Sequence, residues 1–496
     1  MTEKKKRADR FVHTAGYICI FCVLIAILGH LGFMKLGTRP LESYDESRHG
    51  ANAFEMCQTG EPLITTYQYK ADVWNAKPPL STWLIASSFK LFGASAFSLR
   101  IYSTISLILC TIIVSLYALK RFGRLESLFV LLLTAAIPYG YLAMPHFFRY
   151  GDADMLYVLF FTIAMLFMLE SRRSVRMYYG CAAFFVLAFF TKSLHAFVIP
   201  AACLVNALFC GDLKRLRLKN YLMFILIGFV PIAVWAILRA QRTGGMDFFI
   251  TMLRNDLSRA AKVVENHTGS VFFYISYMEK LFPITIGCAG IAAIAAMRKN
   301  TRPGRMTIGI LAWFFTPLML YSICKSKLTW YIYPVTFAMI LPASVFYGRI
   351  LRRAPKNLFA AVVSIMILLF CADMVKDNAA HINPLSGGET AHERTLDLLA
   401  DAGIDQTAPL YIEDPHGTID ELGEYALQQN AVLQMYFDGW THPTNGGAAA
   451  YLKCDTKGAL LLMHKASDNA FHIPEDGYTR TEVDADYILY THIAAD

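Results

Sequence analysis

Long apolar runs alternate with short polar segments over the first three quarters of this chain. Many of these runs approach the roughly 20 residues that a helix needs to cross the hydrocarbon core of a bilayer. The pattern predicts eleven membrane-spanning helices, at 14–36, 97–119, 125–143, 155–170, 177–191, 193–210, 220–239, 276–297, 306–323, 328–348 and 357–374.

The sequence becomes polar after about residue 375. Segment 390–403 has helical spacing and ends at a glycine, whereas APLYIED, ALLLMHKA and ADYILYTHI have the pattern of short strands. The expected fold is therefore an all-α polytopic membrane domain over 1–375, followed by a small extracytoplasmic α/β domain over 376–496.

Charge and composition agree with this class and give it an orientation. The chain is 55% hydrophobic and only 17% charged, and its net charge is +8. If the N-terminus is cytoplasmic, the basic clusters all fall in cytoplasmic segments, at 4–10, 120–124, 172–176, 214–219, 298–305 and 349–356. This predicts a multi-pass inner (plasma) membrane protein in contact with membrane lipids. We see no basic groove with interleaved aromatic residues, so nucleic acid is not an expected partner.

The first apolar run and the cysteines of the chain also fit a membrane protein. The apolar run that ends near Leu36 is too long for a signal peptide, and we take it as a retained first helix. Eight of the eleven cysteines lie in predicted spans, where they pack as small soft side chains rather than forming a disulfide framework.

The segment after the first span carries the first candidate chemistry. Asp45 and Glu46 could act as a general base or help to hold a divalent cation, or they could be solvated loop acids. Lys77, before Pro78 and Pro79, could meet a lipid phosphate or extend towards the headgroups. Segment 80–92 is too short to span comfortably, and we expect it to lie along the interface.

Further polar residues fall in the other outward segments. Arg149, Asp152 and Asp154 precede a long apolar run, where an acid could cap a helix or form part of a site. Lys192 stands at an outer turn, facing protein or a phosphate. The remaining candidates are His195, a packing histidine; His267, a candidate metal ligand; and Lys325 and Lys327 in the last outer turn.

The energy source is predicted to be a lipid-linked donor rather than cytosolic ATP. The chain has no phosphate-cradling loop of the GxxxxGK[ST] type and no convincing dinucleotide-binding fingerprint. The acids and lysines instead gather in the outward segments. This arrangement fits a phosphate-bearing lipid at the outer surface.

In order along the chain, six segments resemble those of the GT-C membrane glycosyltransferases. They are YDESRHGANAFEM, KPPLSTWLIASSFKLFG, RYGDADMLYVLFFTIAML, FFTKSLHAFVIPA, ENHTGSVFFYISYMEKLFPI and SKLTWYIYPV. The resemblance covers about 10–375 and is closest to the bacterial aminoarabinose (lipid A) transferases and to dolichyl-phosphate-mannose protein mannosyltransferases. It implies inverting transfer of a sugar from a polyprenyl-phosphate donor, such as undecaprenyl phosphate, on the outer face of the membrane.

The resemblance also implies roles for individual residues. Asp45 matches the essential aspartate of the first loop, with Glu46 beside it, and Asp154 matches the second acidic position better than Asp152 does. The implied donor-phosphate residues are Lys77, Arg149, Lys192, Lys325 and Lys327. His267 matches a histidine of the aminoarabinose transferases, which makes a divalent metal ion a candidate cofactor.

One departure and two alternatives stay open. The aminoarabinose transferases commonly have Glu immediately before the lysine that Lys77 matches, whereas this chain has Ala76. The acceptor is predicted to be lipid A or another envelope glycan. A protein Ser/Thr acceptor is the alternative within the same reaction class, and a flippase for a lipid-linked sugar is the alternative from another class.

Overall fold

The structure is a computed structural model. It describes residues 3–38, 41, 44–67, 69–72, 77–142, 144, 146–263, 267–296, 304–382, 408–413, 446–468, 470–483 and 487–493. The predicted helix 390–403 lies outside these residues, as does Ala76.

Helices account for most of the described chain. The α-helices are α1 Glu3–Phe33, α2 Tyr44–Thr59, α3 Leu80–Phe92, α4 Ala96–Arg121, α5 Arg124–Ala135, α6 Tyr139–Leu142, α7 Asp154–Leu169, α8 Met177–Lys192, α9 Val198–Phe209, α10 Leu218–Thr243, α11 Asp247–Ala261, α12 Phe273–Glu279, α13 Phe282–Ala296, α14 Arg305–Ile323, α15 Thr336–Arg353, α16 Leu358–Ile382, α17 Gly447–Tyr451 and α18 Lys465–Asp468. Short 3-10 turns occupy Glu170–Arg172, Ser193–Phe197, Asp212–Arg215, Thr329–Val335 and Ala354–Lys356.

The polytopic membrane architecture is confirmed. Within the described residues, eight helical segments are long and apolar enough to cross a membrane, and 283–293 is a shorter apolar helix. Every predicted span contains helix, but α5 and α9 have only 12 residues each. The predicted number of eleven spans therefore stays a prediction.

The chain divides into two compact units. The first comprises 1–34, 73–81 and 103–384, and the second comprises 35–72, 82–102 and 385–496. This division follows the packing of the described chain. The predicted boundary between domains 1–375 and 376–496 stays a prediction.

The first unit is a helical bundle with an apolar exterior. Large apolar side chains on α10 and α16 are exposed, including Leu222, Leu226, Phe359 and Leu369. Water would disfavour such surfaces, whereas lipid tails would not. Small residues allow close helix approach inside the bundle: a Cβ at Gly287 of α13 would lie 2.7 Å from the Ala343 Cβ of α15.

The second unit contains the predicted α/β fold. Its four-stranded sheet consists of β3 Leu410–Glu413, β4 Leu460–His464, β5 Tyr478–Glu482 and β6 Tyr487–His492, in the order β3-β4-β6-β5. Strand β3 is parallel to β4, and the other two pairs are antiparallel. Three of these strands match the predicted runs, and the exposed strand β5 was missed.

The same unit corrects the expectation of a loop after the first span. Residues Tyr44–Thr59 form α2, followed by a hairpin of β1 Thr66–Tyr67 and β2 Lys70–Ala71. Charged residues made this segment look like a solvated loop, but Glu46 and Arg48 of α2 are buried. Interior ion pairs make this burial compatible with a helix. The predicted short helix at 80–92 is confirmed as α3.

Candidate functional site

The centre of the candidate site in the first unit is an ion pair between Lys192 and Asp154. The turn at 170–176 joins α7 and α8, so the start of α7 meets the end of α8. Asp154 lies in the first turn of α7, and Lys192 is the last residue of α8. Each charge therefore lies at the helix end whose dipole stabilises it. The Lys192 Nζ contacts the Asp154 Oδ1, and both side chains are buried, with 7% and 8% exposed.

This pair has an unusual setting for a purely structural contact. Burying two opposite charges costs desolvation energy that their attraction only partly returns, so such pairs add little stability. The Lys192 Nζ also lies 5.5 Å from the ring centroid of Tyr331. A buried charge pair against an aromatic wall is a reasonable candidate for a site that binds an ionic ligand.

His195 lies next to this pair, and its predicted role as a packing histidine stays a prediction. Its ring centroid is 4.8 Å from that of Tyr331. Its Nδ1 is buried and has no hydrogen-bond partner among the residues described. Nothing in the local sequence distinguishes such a ring from the packing histidine that we expected.

Lys77 is anchored through its backbone. Arg239 of α10 donates a hydrogen bond from Nη1 to the Lys77 carbonyl at 3.3 Å. The Arg239 side chain is buried, and its guanidinium lies 4.6 Å from the ring centroid of Phe248. Pro78 and Pro79 are buried directly before α3. The bond from Arg239 and the two prolines restrict the backbone at Lys77.

The Arg149 side chain donates hydrogen bonds to backbone carbonyls. It donates to the carbonyls of Leu31, Gly32 and Met34 at 2.8–2.9 Å. These carbonyls lie at the C-terminal end of α1, where a cation satisfies groups that lack intrahelical partners. Its predicted role at the donor phosphate stays a prediction. An Asp152 carboxylate oxygen lies 2.8 Å from the His146 Nδ1.

Lys327, like Arg149, binds backbone carbonyls at the end of a helix, here α14. Its ammonium donates to the carbonyls of Tyr321, Ser322 and Cys324. Burial lowers the pKa of this ammonium below its ordinary value. Lys325, in contrast, is exposed. The phosphate-binding roles of both lysines stay predictions.

His267 is held through its backbone. Its carbonyl accepts a hydrogen bond from the Lys327 backbone N–H at 3.0 Å. Among the described residues, its side chain belongs to no group of three or more potential metal ligands. The role of His267 as a metal ligand therefore stays a prediction, and the mechanism below uses no metal.

The second unit holds Asp45 and Glu46 in the first turn of α2. Asp45 is half-buried. Glu46 is fully buried and accepts hydrogen bonds from Arg100 Nε at 2.6 Å and Nη2 at 2.9 Å. Arg100 also donates to the Leu36 carbonyl at 3.0 Å. The ion pair thus ties the start of α2 to α4 and fixes the backbone that carries Asp45.

A second buried cluster holds the middle of α2. Arg48 donates two hydrogen bonds to Asp72, both at 2.7 Å, and Asn52 adds one at 3.0 Å. The Arg48 guanidinium lies 3.9 Å from the ring centroid of Tyr67. The sequence analysis missed this cluster and Arg100, because pairing between distant residues leaves no local pattern.

Comparisons with known proteins agree with this picture. The family model described as dolichyl-phosphate-mannose-protein mannosyltransferase matches residues 76–237. An uncharacterised protein of Aquifex aeolicus is 28% identical over 60% of this chain and 67% of its own length. The undecaprenyl phosphate-alpha-4-amino-4-deoxy-L-arabinose arabinosyl transferase of Pectobacterium atrosepticum is 24% identical over 63% of this chain, a match that spans only 56% of that enzyme.

Solved structures show the same fold. The crystal structure of ArnT from Cupriavidus metallidurans, bound to undecaprenyl phosphate, superposes with a TM-score of 0.71 at 17% identity. The superposition covers 96% of this chain and 98% of that one. Together these similarities support a glycosyltransferase that uses a lipid-linked sugar. They confirm the predicted resemblance of this chain to the GT-C membrane glycosyltransferases, and among them to the aminoarabinose transferases and the protein mannosyltransferases.

Proposed function

We propose that this protein moves a sugar from an undecaprenyl-phosphate donor to lipid A or another envelope glycan, with inversion at the anomeric carbon. The observation that carries the proposal is the buried Lys192–Asp154 pair beside Tyr331. The pair provides a preorganised cation, the Lys192 ammonium, where the start of α7 meets the end of α8. The undecaprenyl phosphate bound to ArnT supports a donor of this class.

The proposed chemistry starts from the leaving group. As the bond between the sugar and the phosphate breaks, negative charge grows on the phosphate and oxocarbenium character develops on the sugar. A fixed cation at the phosphate stabilises that charge without reorganising as it develops. We assign this role first to Lys192 and then to Lys77 and Lys325. Arg149 and Lys327, which bind carbonyls, would support the backbone of the site.

Asp154 would hold Lys192 in place, and Asp45 would serve the acceptor. An acceptor hydroxyl needs a base, and a carboxylate within hydrogen-bond reach supplies one. An acceptor phosphate is already ionised, and Asp45 would then orient the acceptor. Glu46 would act indirectly, because its bonds to Arg100 fix the turn that carries Asp45.

We further propose that transfer takes place on the outer face of the inner membrane. The basic clusters of the connecting segments support a cytoplasmic N-terminus, since Lys and Arg concentrate on the cytoplasmic side. The site and the C-terminal domain would then face the periplasm.

Mass spectrometry of lipid A from cells tests this proposal. Strains would carry the wild-type chain, no chain, Asp45→Asn, or the control Asp476→Asn at an exposed position of the second unit. We expect a sugar-mass increment with the wild type and the control and its loss in the other two strains. An increment that persists with Asp45→Asn would refute the assigned role of Asp45. Identical spectra in all four strains would refute lipid A as acceptor and favour a protein or another glycan.

A further inference from the structure

The polypeptide between Lys192 and His195 has a strained conformation. Helix α8 stops at Lys192, and Ser193 has φ +46° and ψ −127°. A residue other than glycine rarely adopts a positive φ unless its surroundings hold it there. Ser193 itself is fully buried. The break therefore needs a partner that fixes it.

Asp256 of α11 is that partner. Its Oδ2 accepts a hydrogen bond from the Ser193 hydroxyl. The same oxygen accepts one from the Leu194 backbone N–H at 3.2 Å. The carboxylate thus holds the hydroxyl and the amide that immediately follow Lys192, and it fixes the direction in which α8 ends.

The end of α11 is hydrogen-bonded to the turn that carries Lys325 and Lys327. The Lys325 backbone N–H donates to the Ala260 carbonyl at 3.0 Å, and the Ser326 N–H donates to the Arg259 carbonyl at 3.1 Å. The Ser326 hydroxyl donates to the Lys262 carbonyl at 2.9 Å. The C-terminal end of α11 is therefore held in place, and Asp256 is presented from a fixed support.

The start of α11 is connected to Lys77. Phe248 packs under the Arg239 guanidinium, which donates to the Lys77 carbonyl. One amphipathic helix of 15 residues thus contacts the segments that carry Lys192 and Lys325 directly, and it reaches the Lys77 segment through Arg239.

We propose that Asp256 is a positioning residue for Lys192, so that it sets the affinity for the donor phosphate through the Ser193 turn. This inference rests on the proposed function, because it assumes that Lys192 meets the phosphate of a polyprenyl lipid. Asp256 itself need not touch the donor. Its effect should disappear when the Lys192 ammonium is absent.

A double-mutant cycle tests this inference on the full-length protein in detergent, with undecaprenyl phosphate as the probe. The variants are Asp256→Ala, Lys192→Ala and the combination, with Asp256→Asn as the conservative change. Asp247→Ala, an exposed aspartate in the first turn of α11, is the matched control. We expect Asp256→Ala to weaken binding at least tenfold and to have no further effect in the Lys192→Ala background. Asparagine can still accept both hydrogen bonds, so Asp256→Asn should stay within about threefold of wild type.

A second readout does not depend on donor binding. Hydrogen exchange of the Leu194 amide should accelerate in Asp256→Ala and not in Asp247→Ala, because only the former loses the acceptor. If Asp256→Ala does not fold, Ser193→Ala takes its place, with an expected loss of about threefold from removal of one of the two bonds.

The outcomes separate this inference from the proposed function. Wild-type protein that does not bind undecaprenyl phosphate would defeat the proposed function. Binding by the wild type that falls in Lys192→Ala but is unchanged in Asp256→Ala, or in its replacement Ser193→Ala, would overturn only the positioning role. An equal loss from Asp256→Ala with and without Lys192 would overturn it as well.

Discussion

Replacing Glu46 by Gln should destabilise the protein strongly, because it leaves a buried guanidinium without its counter-ion. Only 1% of each side chain in the Glu46–Arg100 pair is exposed. Arg100 spends two of its hydrogen bonds on the carboxylate and one on the Leu36 carbonyl. Glutamine offers one oxygen, so at least one of the two bonds and all of the ionic attraction are lost.

The expected magnitude follows from this burial. Removing one partner of a buried ion pair costs about 3–5 kcal/mol, since the other charge stays desolvated. We expect a value near the lower end, about 3 kcal/mol, because glutamine keeps one acceptor. The double change Glu46→Leu with Arg100→Met removes both charges. It should lie within about 2 kcal/mol of wild type, with about 1 kcal/mol of that from the lost bond to Leu36.

The assay is chemical unfolding of purified protein in mixed micelles, with transfer activity measured in parallel. Glu475→Gln, at an exposed position in the same unit, is the matched control and should change the free energy of unfolding by less than about 0.5 kcal/mol. A Glu46→Gln protein of wild-type stability would refute the structural role. If that protein were also inactive, Glu46 would be catalytic, as its place beside Asp45 first suggested.

Two further predictions concern other parts of the first unit. Gly269→Ala should lower the stability measured by thermal unfolding by about 1–3 kcal/mol, because the new Cβ would lie 2.8 Å from the Lys327 Cγ. The control Gly245→Ala, which has open space around it, should leave the stability unchanged. Equal melting temperatures for the two variants would contradict this. Burial alone would raise the pKa of Asp212, but hydrogen bonds from Arg305 and other donors hold it below its ordinary value of 3.8. The stability that Asp212 contributes is therefore fully present above pH 3.8, and it is lost as the pH falls through the lower, folded-state pKa. The free energy of unfolding should fall less steeply between pH 6 and pH 3 in Asp212→Asn than in wild type. Parallel curves for the two proteins would refute this role.

The membrane fold could be predicted because apolar length is a strong local signal. Each predicted span contains helix, and the largest errors lie where a helix is broken by local chemistry. The predicted run 125–143 ends as α5 at Ala135, shortly before Pro138, whose ring disfavours helix in the preceding residue. The helix at Tyr44–Thr59 was not predicted, because a charged segment after a membrane span has the pattern of a solvated loop.

The candidate site could be predicted residue by residue but not as an arrangement. Lys192 and Asp154 were chosen separately, and their pairing depends on the hairpin of α7 and α8. The outward ends of two consecutive antiparallel spans must meet, so this contact was accessible from topology. Arg100 was not accessible, because its partner Glu46 is 54 residues away and no local pattern joins them.

Release of free undecaprenyl phosphate tests the central claim most directly. Purified protein would be incubated with an undecaprenyl-phosphate sugar and lipid A, and the lipid products would be separated by mass spectrometry. We expect release coupled to sugar transfer in the wild type, and a fall of at least about 100-fold in Lys192→Ala, which loses the cation at the leaving group. Intact donor with the wild-type protein, or undiminished release in Lys192→Ala, would contradict the proposed reaction.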